Sequence, residues 1–195
     1  MELDPADLDG YSLFQTMCGL LAPRPVAWIS TVDETGTDNI APYSFFSPIS
    51  VEPPVVVFTA APDPDGNVKD TAANALETEA FVVNLVTEET VEAMSDTAAH
   101  VDESEFDLVG LDRESSETVA PPRVAGVPGA LECSLYDSLK IGETDVIFGE
   151  IEHIVIAEEY AEDGGVDATA IPFVGHLVED DYTRMDHFVQ EQPER

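Results

Sequence analysis

Apolar and polar positions along the chain fall into short runs separated by turn-forming residues, and most runs read as strands. Val26-Ala-Trp-Ile-Ser-Thr-Val32 is rich in β-branched and aromatic residues, Asp33-Glu-Thr-Gly-Thr37 supplies a turn, and a second extended run covers 39–47, so a hairpin is predicted. Pro53-Pro54 opens the run 51–61, whose continuous apolar stretch from Val55 to Ala61 suits a strand buried on both faces and lying centrally. A loop over 62–67 leads into good helix formers across 69–78, with an Asp or Thr as the candidate cap. Residues 80–86 read as another strand, after which Thr87 can cap a helix with Val91, Met94 and Ala98 on one face. The polar stretch 99–119 is irregular or short-helical. From Ala130, apolar Leu131, Cys133 and Leu135 alternate with Glu132, Ser134 and Tyr136, and residues 142–145 turn the chain into 146–156, giving a long hairpin with one wet face.

Many strands, few short helices and no internal repeat predict a mainly β fold: a closed antiparallel, Greek-key-like barrel with short helical insertions. At 195 residues and 44% hydrophobic, the chain supports a single domain over 1–195, with a core at about 22–184 flanked by terminal extensions. Residues 190–195 are expected to fray.

Charge narrows the partners. Asp and Glu number 41 against 7 Lys and Arg, a formal net charge of −34, which repels nucleic-acid phosphates and anionic membrane surfaces. The acids are dispersed among ordinary core segments, so they form a solvated shell of the kind that suits a halophilic protein: at about 1 M salt the Debye length falls to about 3 Å and self-repulsion is screened. Only two lysines persist, Lys69 and Lys140. Cys18 and Cys133 lie far apart without a CxxC pair and read as reduced and buried. The start Met1-Glu-Leu-Asp-Pro-Ala-Asp has neither the basic residues nor the apolar run of a signal peptide, and a cytoplasmic protein is expected.

No Walker loop or GxGxxG fingerprint is present, and His100, His153, His176 and His187 lack zinc-site spacing, so no metal is expected. Ser30 and Ser44 sit on predicted strands rather than on a GxSxG elbow. Two segments stand out. Asn39-Ile-Ala-Pro-Tyr-Ser-Phe-Phe-Ser-Pro crowds hydroxyls and aromatics onto a proline-punctuated strand, which suits either a planar polar ligand or an edge strand with a bulge and an aromatic core. Asp65-Gly-Asn-Val-Lys-Asp-Thr71 places a scarce lysine at a helix start, where N–H groups and the helix dipole favour a phosphate; plain capping by Asp70 or Thr71 explains those two residues but not Lys69.

Taken in order, Arg24-Pro-Val-Ala-Trp-Ile-Ser-Thr-Val-Asp33, Asn39-Ile-Ala-Pro-Tyr-Ser-Phe-Phe46, Pro53-Pro, Lys69-Asp-Thr71, Phe81-Val-Val-Asn-Leu85, Glu105-Phe-Asp-Leu-Val-Gly-Leu111, Pro121-Pro-Arg123 and Gly149-Glu150 resemble the flavin reductase-like family of FMN-binding split barrels. The resemblance runs from about Arg24 to Tyr182. It implies a homodimer with one FMN per subunit near the interface, reduced by NADH or NADPH in many members, with electrons passing to flavin or another acceptor or to a redox partner protein. By motif, Ser30 and Thr31 with Pro42, Tyr43, Ser44, Phe45, Phe46 and Ser47 would line the isoalloxazine and ribityl chain. Asn67, Lys69, Asp70 and Thr71 would gather round the phosphate, with Asn84 a further candidate. Where the family commonly shows arginine followed by Leu-Gly-Gly, this chain has His176 followed by Leu177, Val178 and Glu179, leaving His176 or Arg184 as the substitute.

In such a protein the flavin carries the redox chemistry and no catalytic side chain is required. Two rivals share the sequence: a dimer that carries or stores FMN without its own NAD(P)H turnover, and an acidic interaction protein without a cofactor, which explains the charge but not Lys69 or the ordered motifs. Because the acidic shell repels an anionic dinucleotide at low salt, NAD(P)H-dependent activity should rise as potassium chloride goes from about 0.1 M to about 2 M. Steady-state assays that show activity falling over that range would contradict the screening argument.

Overall fold

In the computed structural model of the chain, which describes residues 1–63, 65–99, 101 and 104–186, the long strands form a seven-stranded sheet. Its strands are β1 (Ala27–Val32), β2 (Asp38–Tyr43), β3 (Phe46–Val51), β4 (Pro54–Ala60), β5 (Ala80–Leu85), β6 (Gly129–Ile141) and β7 (Thr144–Ile156), and all neighbouring pairs are antiparallel. The order is β2-β1-β5-β6-β7-β4-β3. The expected closed barrel is therefore not completed by hydrogen bonding: among the described residues no ladder joins β2 to β3, although the chain runs directly from one to the other through Ser44 and Phe45. The Phe45 carbonyl accepts from Thr59 N at 3.0 Å, which stitches this corner to β4.

Alternation along β1 explains why its sequence reads as an unbroken apolar run. Ala27 and Ile29 face one core with Phe58, Phe81, Val83 and Cys133, while Trp28 faces a second core with Ile40, Met94 and Phe106, so both faces are covered. In the first core Phe81 meets Phe58 edge-on, their centroids 5.1 Å apart. Helix α1 (Gly10–Leu20) precedes the sheet; α2 (Asp70–Glu77) lies over the first core through Ala72 and Ala75, and α3 (Val91–Asp96) and α4 (Glu105–Val109) supply Met94 and Phe106 to the second.

Several expectations shift in detail. The extended run 39–47 breaks at the Ser44-Phe45 corner into β2 and β3. Strand β4 lies one place from the sheet edge rather than centrally, and its apolar run reflects Val55, Val56, Phe58 and Ala60 packing on either side. The N-cap of α3 is Thr90, whose hydroxyl accepts from Thr87 N at 3.0 Å, so Thr87 precedes the cap instead of being it. Ala98 falls beyond the end of that helix. In the hairpin of β6 and β7, β6 is exposed from Tyr136 to Ile141, whereas the paired β7 residues Asp145, Val146 and Ile147 are buried. Its turn is Gly142-Glu143, with Gly142 at φ 62, where a glycine carries no steric penalty. Cys18 and Cys133 are buried free thiols as expected. His100, His187 and the terminal 190–195 lie outside the described residues.

Gly149 of β7 sits directly under the Phe81 ring: a Cβ there would stand 2.3 Å from Phe81 Cζ and 3.0 Å from Cys133 Cβ. Because a close-packed aromatic core has no slack, Gly149→Ala should destabilise the fold by about 1–3 kcal/mol, read as a lower urea midpoint with the slope unchanged. An unaltered midpoint would mean the ring can move aside without penalty.

Candidate functional site

Two Asp-anchored turns frame the region between β2 and α2. Asp33 Oδ1 accepts from Thr35 N and Thr37 N, each at 2.8 Å, and shapes the β1–β2 turn. Asp63 repeats the device, accepting from Asp65 N at 2.9 Å and Asn67 N at 2.8 Å, while Asn67 Nδ2 donates to its second oxygen at 2.9 Å. These bonds, the Asn67 side chain first, hold the Asp63 carboxyl below its ordinary value. The second turn delivers the chain to α2 with Lys69 in the N-cap position, and no side chain caps the helix. The expected Asp or Thr cap is absent because the helix starts one residue earlier than expected, at Asp70, with both residues inside it; Thr71 gives its hydroxyl proton to Asn39 Oδ1 at 2.7 Å.

Between this helix start and β2 lies a cavity of about 440 Å³, within the range of small-molecule sites. Of the fourteen residues expected at the site, Pro42, Tyr43, Asn67, Lys69, Asp70 and Thr71 line it. Lys69 is exposed and forms no ion pair among the described residues; its Nζ stands 5.8 Å from the centroid of the Tyr43 ring. By contrast, Lys140 pairs with Asp145 at 3.4 Å. Tyr43 is 6% exposed, and among the described residues its hydroxyl completes no well-formed hydrogen bond, with the Thr71 side chain as its polar neighbour. Burial pushes the phenol up to about 12, against the lowering influence of the neighbouring Thr71 side chain and with the Asp70 and Glu105 charges adding to the rise. It therefore stays a protonated donor at any ordinary pH, a buried O–H beside Thr71 without a well-formed bond among the described residues.

The other expected residues are placed elsewhere. Ser30 donates to Pro122 O at 2.5 Å and accepts from Asn84 Nδ2 at 3.1 Å. Asn84 also donates to Trp28 O at 3.0 Å and accepts from Val124 N at 2.8 Å, so its buried amide ties the 121–124 segment to β1 and lines no part of the cavity. Thr31 is buried behind Asn39, bonding its Oδ1 at 3.3 Å and accepting from Asn74 Nδ2 at 3.2 Å. Ser44 and Phe45 form the strand corner, where Phe45 stacks on Phe14 of α1, and Phe46 packs against the first core. Ser47 is exposed, its hydroxyl donating to Pro48 O at 3.0 Å. His176 lies across the molecule's N-terminal helix junction: its Nδ1 is 3.2 Å from Arg24 Nη2 and its Nε2 is 2.7 Å from Glu179 O. Arg24 is itself buried and also donates to Cys18 O and Leu177 O, each at 2.7 Å. Arg184 pairs with Glu88 at 2.9 Å.

Three lining residues emerge only from the fold. Asn39 and Thr97 border the cavity, and Thr97 Oγ1 accepts from Trp28 Nε1 at 2.8 Å, which puts the sole tryptophan one side chain away from it. Glu105, 66 residues from Asn39 in sequence, accepts from Asn39 Nδ2 at 2.9 Å and Ile40 N at 3.0 Å. Asn39 and Glu105 fall in the ordered motifs but Thr97 does not, and spacing alone gives no reason to bring the three together.

A model of the flavin reductase like domain matches residues 20–171. The chain is 40% identical over 152 residues to an uncharacterised protein of Aquifex aeolicus, covering 77% of this chain and 78% of that one. Among solved structures it superposes on nitrilotriacetate monooxygenase component B from Bacillus cereus with a TM-score of 0.93, 28% identity and 98% coverage of both chains. The 2-nitrobenzoate 2-nitroreductase NbaA of Pseudomonas fluorescens gives a TM-score of 0.90 at 29% identity, covering 100% of this chain and 96% of that one. The open seven-stranded sheet is thus the split-barrel arrangement of flavin reductase-like proteins.

A buried hydroxyl without a well-formed hydrogen bond stabilises nothing in the free protein. Tyr43→Phe should therefore raise the unfolding free energy by about 1 kcal/mol in thermal or urea melts without ligand. A loss of stability of that size would mean the hydroxyl has an internal partner.

Proposed function

Since this chain belongs to the flavin reductase like family, we propose that the cavity at the start of α2 binds the phosphate end of FMN and that the protein is a flavin-dependent oxidoreductase taking electrons from NADH or NADPH. One observation carries the reading: a helix N-terminus without a side-chain cap, the Lys69 ammonium, which forms no ion pair among the described residues, and the buried Tyr43 hydroxyl converge on one cavity, a donor set suited to an anion. Lys69 supplies the positive charge, Tyr43 donates its proton, and Pro42 with the corner at Ser44 and Phe45 offers an apolar flank for the ring system. Bound FMN supplies the two-electron exchange with a nicotinamide donor and the onward transfer to free flavin or another acceptor. The chain's own task is to hold the phosphate, position the ring and keep one face open.

A homodimer is part of the proposal. On a chain with a net charge of −34, α1 exposes Phe14, Met17 and Leu20, and the adjacent corner exposes Phe45, Ile49 and Val51, a concentration of apolar surface that a second copy would cover. A cytoplasmic, halophilic setting fits the dispersed acidity. The observation that favours the flavin-carrier reading is that His176 and Arg184 are both already engaged, leaving neither as a ready partner for a nicotinamide phosphate.

Protein purified in molar potassium chloride should show flavin bands that bleach on anaerobic addition of NADH or NADPH. Bands that persist with both donors would assign the carrier role instead. Lys69→Ala should weaken FMN by about 1–3 kcal/mol while leaving riboflavin, which has no phosphate, unchanged. Equal losses for both ligands in a fluorescence titration would remove the phosphate from this end of the cavity.

A further inference from the structure

The same cavity carries a carboxylate that an anion site does not call for. Glu105 is 4% exposed and lines the wall opposite the Lys69 cradle's donors. One of its oxygens, Oε2, accepts from both Asn39 Nδ2 and Ile40 N, and the Glu105 backbone N–H adds to the donors around the carboxyl. Holding the Asn39 amide in this sense points its Oδ1 at Thr71, whose hydroxyl proton is thereby spent. So Thr71 presents a lone pair, not a proton, to anything entering beside it.

The titratable groups that face this space among the described residues are Asp63, Lys69 and Asp70 from the loop and α2, Tyr43 from β2 and Glu105 itself. One ammonium is set against three carboxyl groups. Burial raises the Glu105 carboxyl above its ordinary value, with Asp70 adding to the rise and the Ile40 and Asn39 donors opposing it. A buried carboxyl that lines the same cavity gains most from a proton when a second negative charge arrives, because the protonated group is a donor where the carboxylate was a repeller.

We propose that Glu105 is the positioning residue and charge discriminator of this cavity: it orients Asn39 and Thr71, and it couples the binding of a phosphate or sulfate ester to proton uptake at its own carboxyl. The proposal rests on the assignment of the cavity to the phosphate end of a flavin nucleotide. The sign follows from linkage. An entering anion raises the carboxyl further, so affinity is highest where Glu105 is already protonated and falls as pH rises through the range between its free and liganded values.

The test is a flavin fluorescence titration in molar potassium chloride, from about pH 5 to about pH 8, with riboflavin 5′-sulfate, whose ester does not titrate in this window. Wild-type affinity for the sulfate ester should fall as pH rises, whereas riboflavin affinity should be level. Glu105→Gln keeps an oxygen for Ile40 N and Asn39 Nδ2 and removes the charge. It should bind the sulfate ester and FMN about tenfold more tightly than wild type at about pH 8, with no decline toward high pH for the ester and no change for riboflavin. A level wild-type profile for the ester overturns the coupling, with no variant needed. A Glu105→Gln protein that melts like wild type and binds the ester no more tightly overturns the charge role. Wild type that binds FMN and riboflavin equally well at every pH instead defeats the assignment of the cavity to the phosphate, a result distinct from either.

Discussion

Thr71, in the first turn of its helix, gives its hydroxyl proton to Asn39 of the neighbouring strand, and the site depends on that bond. The bond fastens α2, which carries Lys69, to β2, which carries Tyr43, at 2.7 Å. The N-cap residue, Lys69, has no side-chain acceptor, so the helix start lacks a side-chain cap and its partial positive charge is left at the border of the cavity. Glu105 stands behind Asn39 and fixes the sense of its amide, so three elements distant in sequence are set by a single chain of hydrogen bonds. Behind them the two packed faces of β1 make the platform rigid, with Trp28 on one side and Ile29 on the other.

Much of the fold was legible in the sequence because strands announce themselves through apolar runs and turn residues, and residues 26–32, 80–86 and the hairpin after Ala130 fall where the pattern puts them. What periodicity could not show was order. The continuous apolar run of β4 looks the same one place from an edge as at the centre, since Val55 is buried on one face while Val56, Phe58 and Ala60 enter the first core on the other. Nor could it place the break at Ser44 and Phe45, where the strand turns a corner on a hydrogen bond from Thr59 that lies in another segment.

The site was legible where a residue's rarity made it conspicuous. Lys69 stood out in a chain almost without lysine, and Tyr43 lay in a segment crowded with aromatics; both line the cavity. Ser30 and Asn84 looked equally polar on their strands, but their atoms are consumed by backbone groups brought in by the 121–124 segment. Glu105 was hidden among 41 acids, and only its 4% exposure distinguishes it from those that hydrate the surface. In a chain selected for acidity the informative charges are the few basic ones and the buried acidic ones.

The acidic shell and the proposed site pull against each other: the surface repels anions, including the phosphate proposed for the cavity, and screening by salt relieves the surface more than the sheltered interior. The central claim, that the cavity between β2 and the start of α2 takes the phosphate of a flavin nucleotide, is tested most directly by a crystal structure of the protein grown with FMN in high salt. The account expects the phosphate within hydrogen-bonding distance of Lys69 Nζ and the Tyr43 hydroxyl. A flavin bound with its phosphate away from both, and the Tyr43 hydroxyl still without a well-formed hydrogen bond, would contradict it.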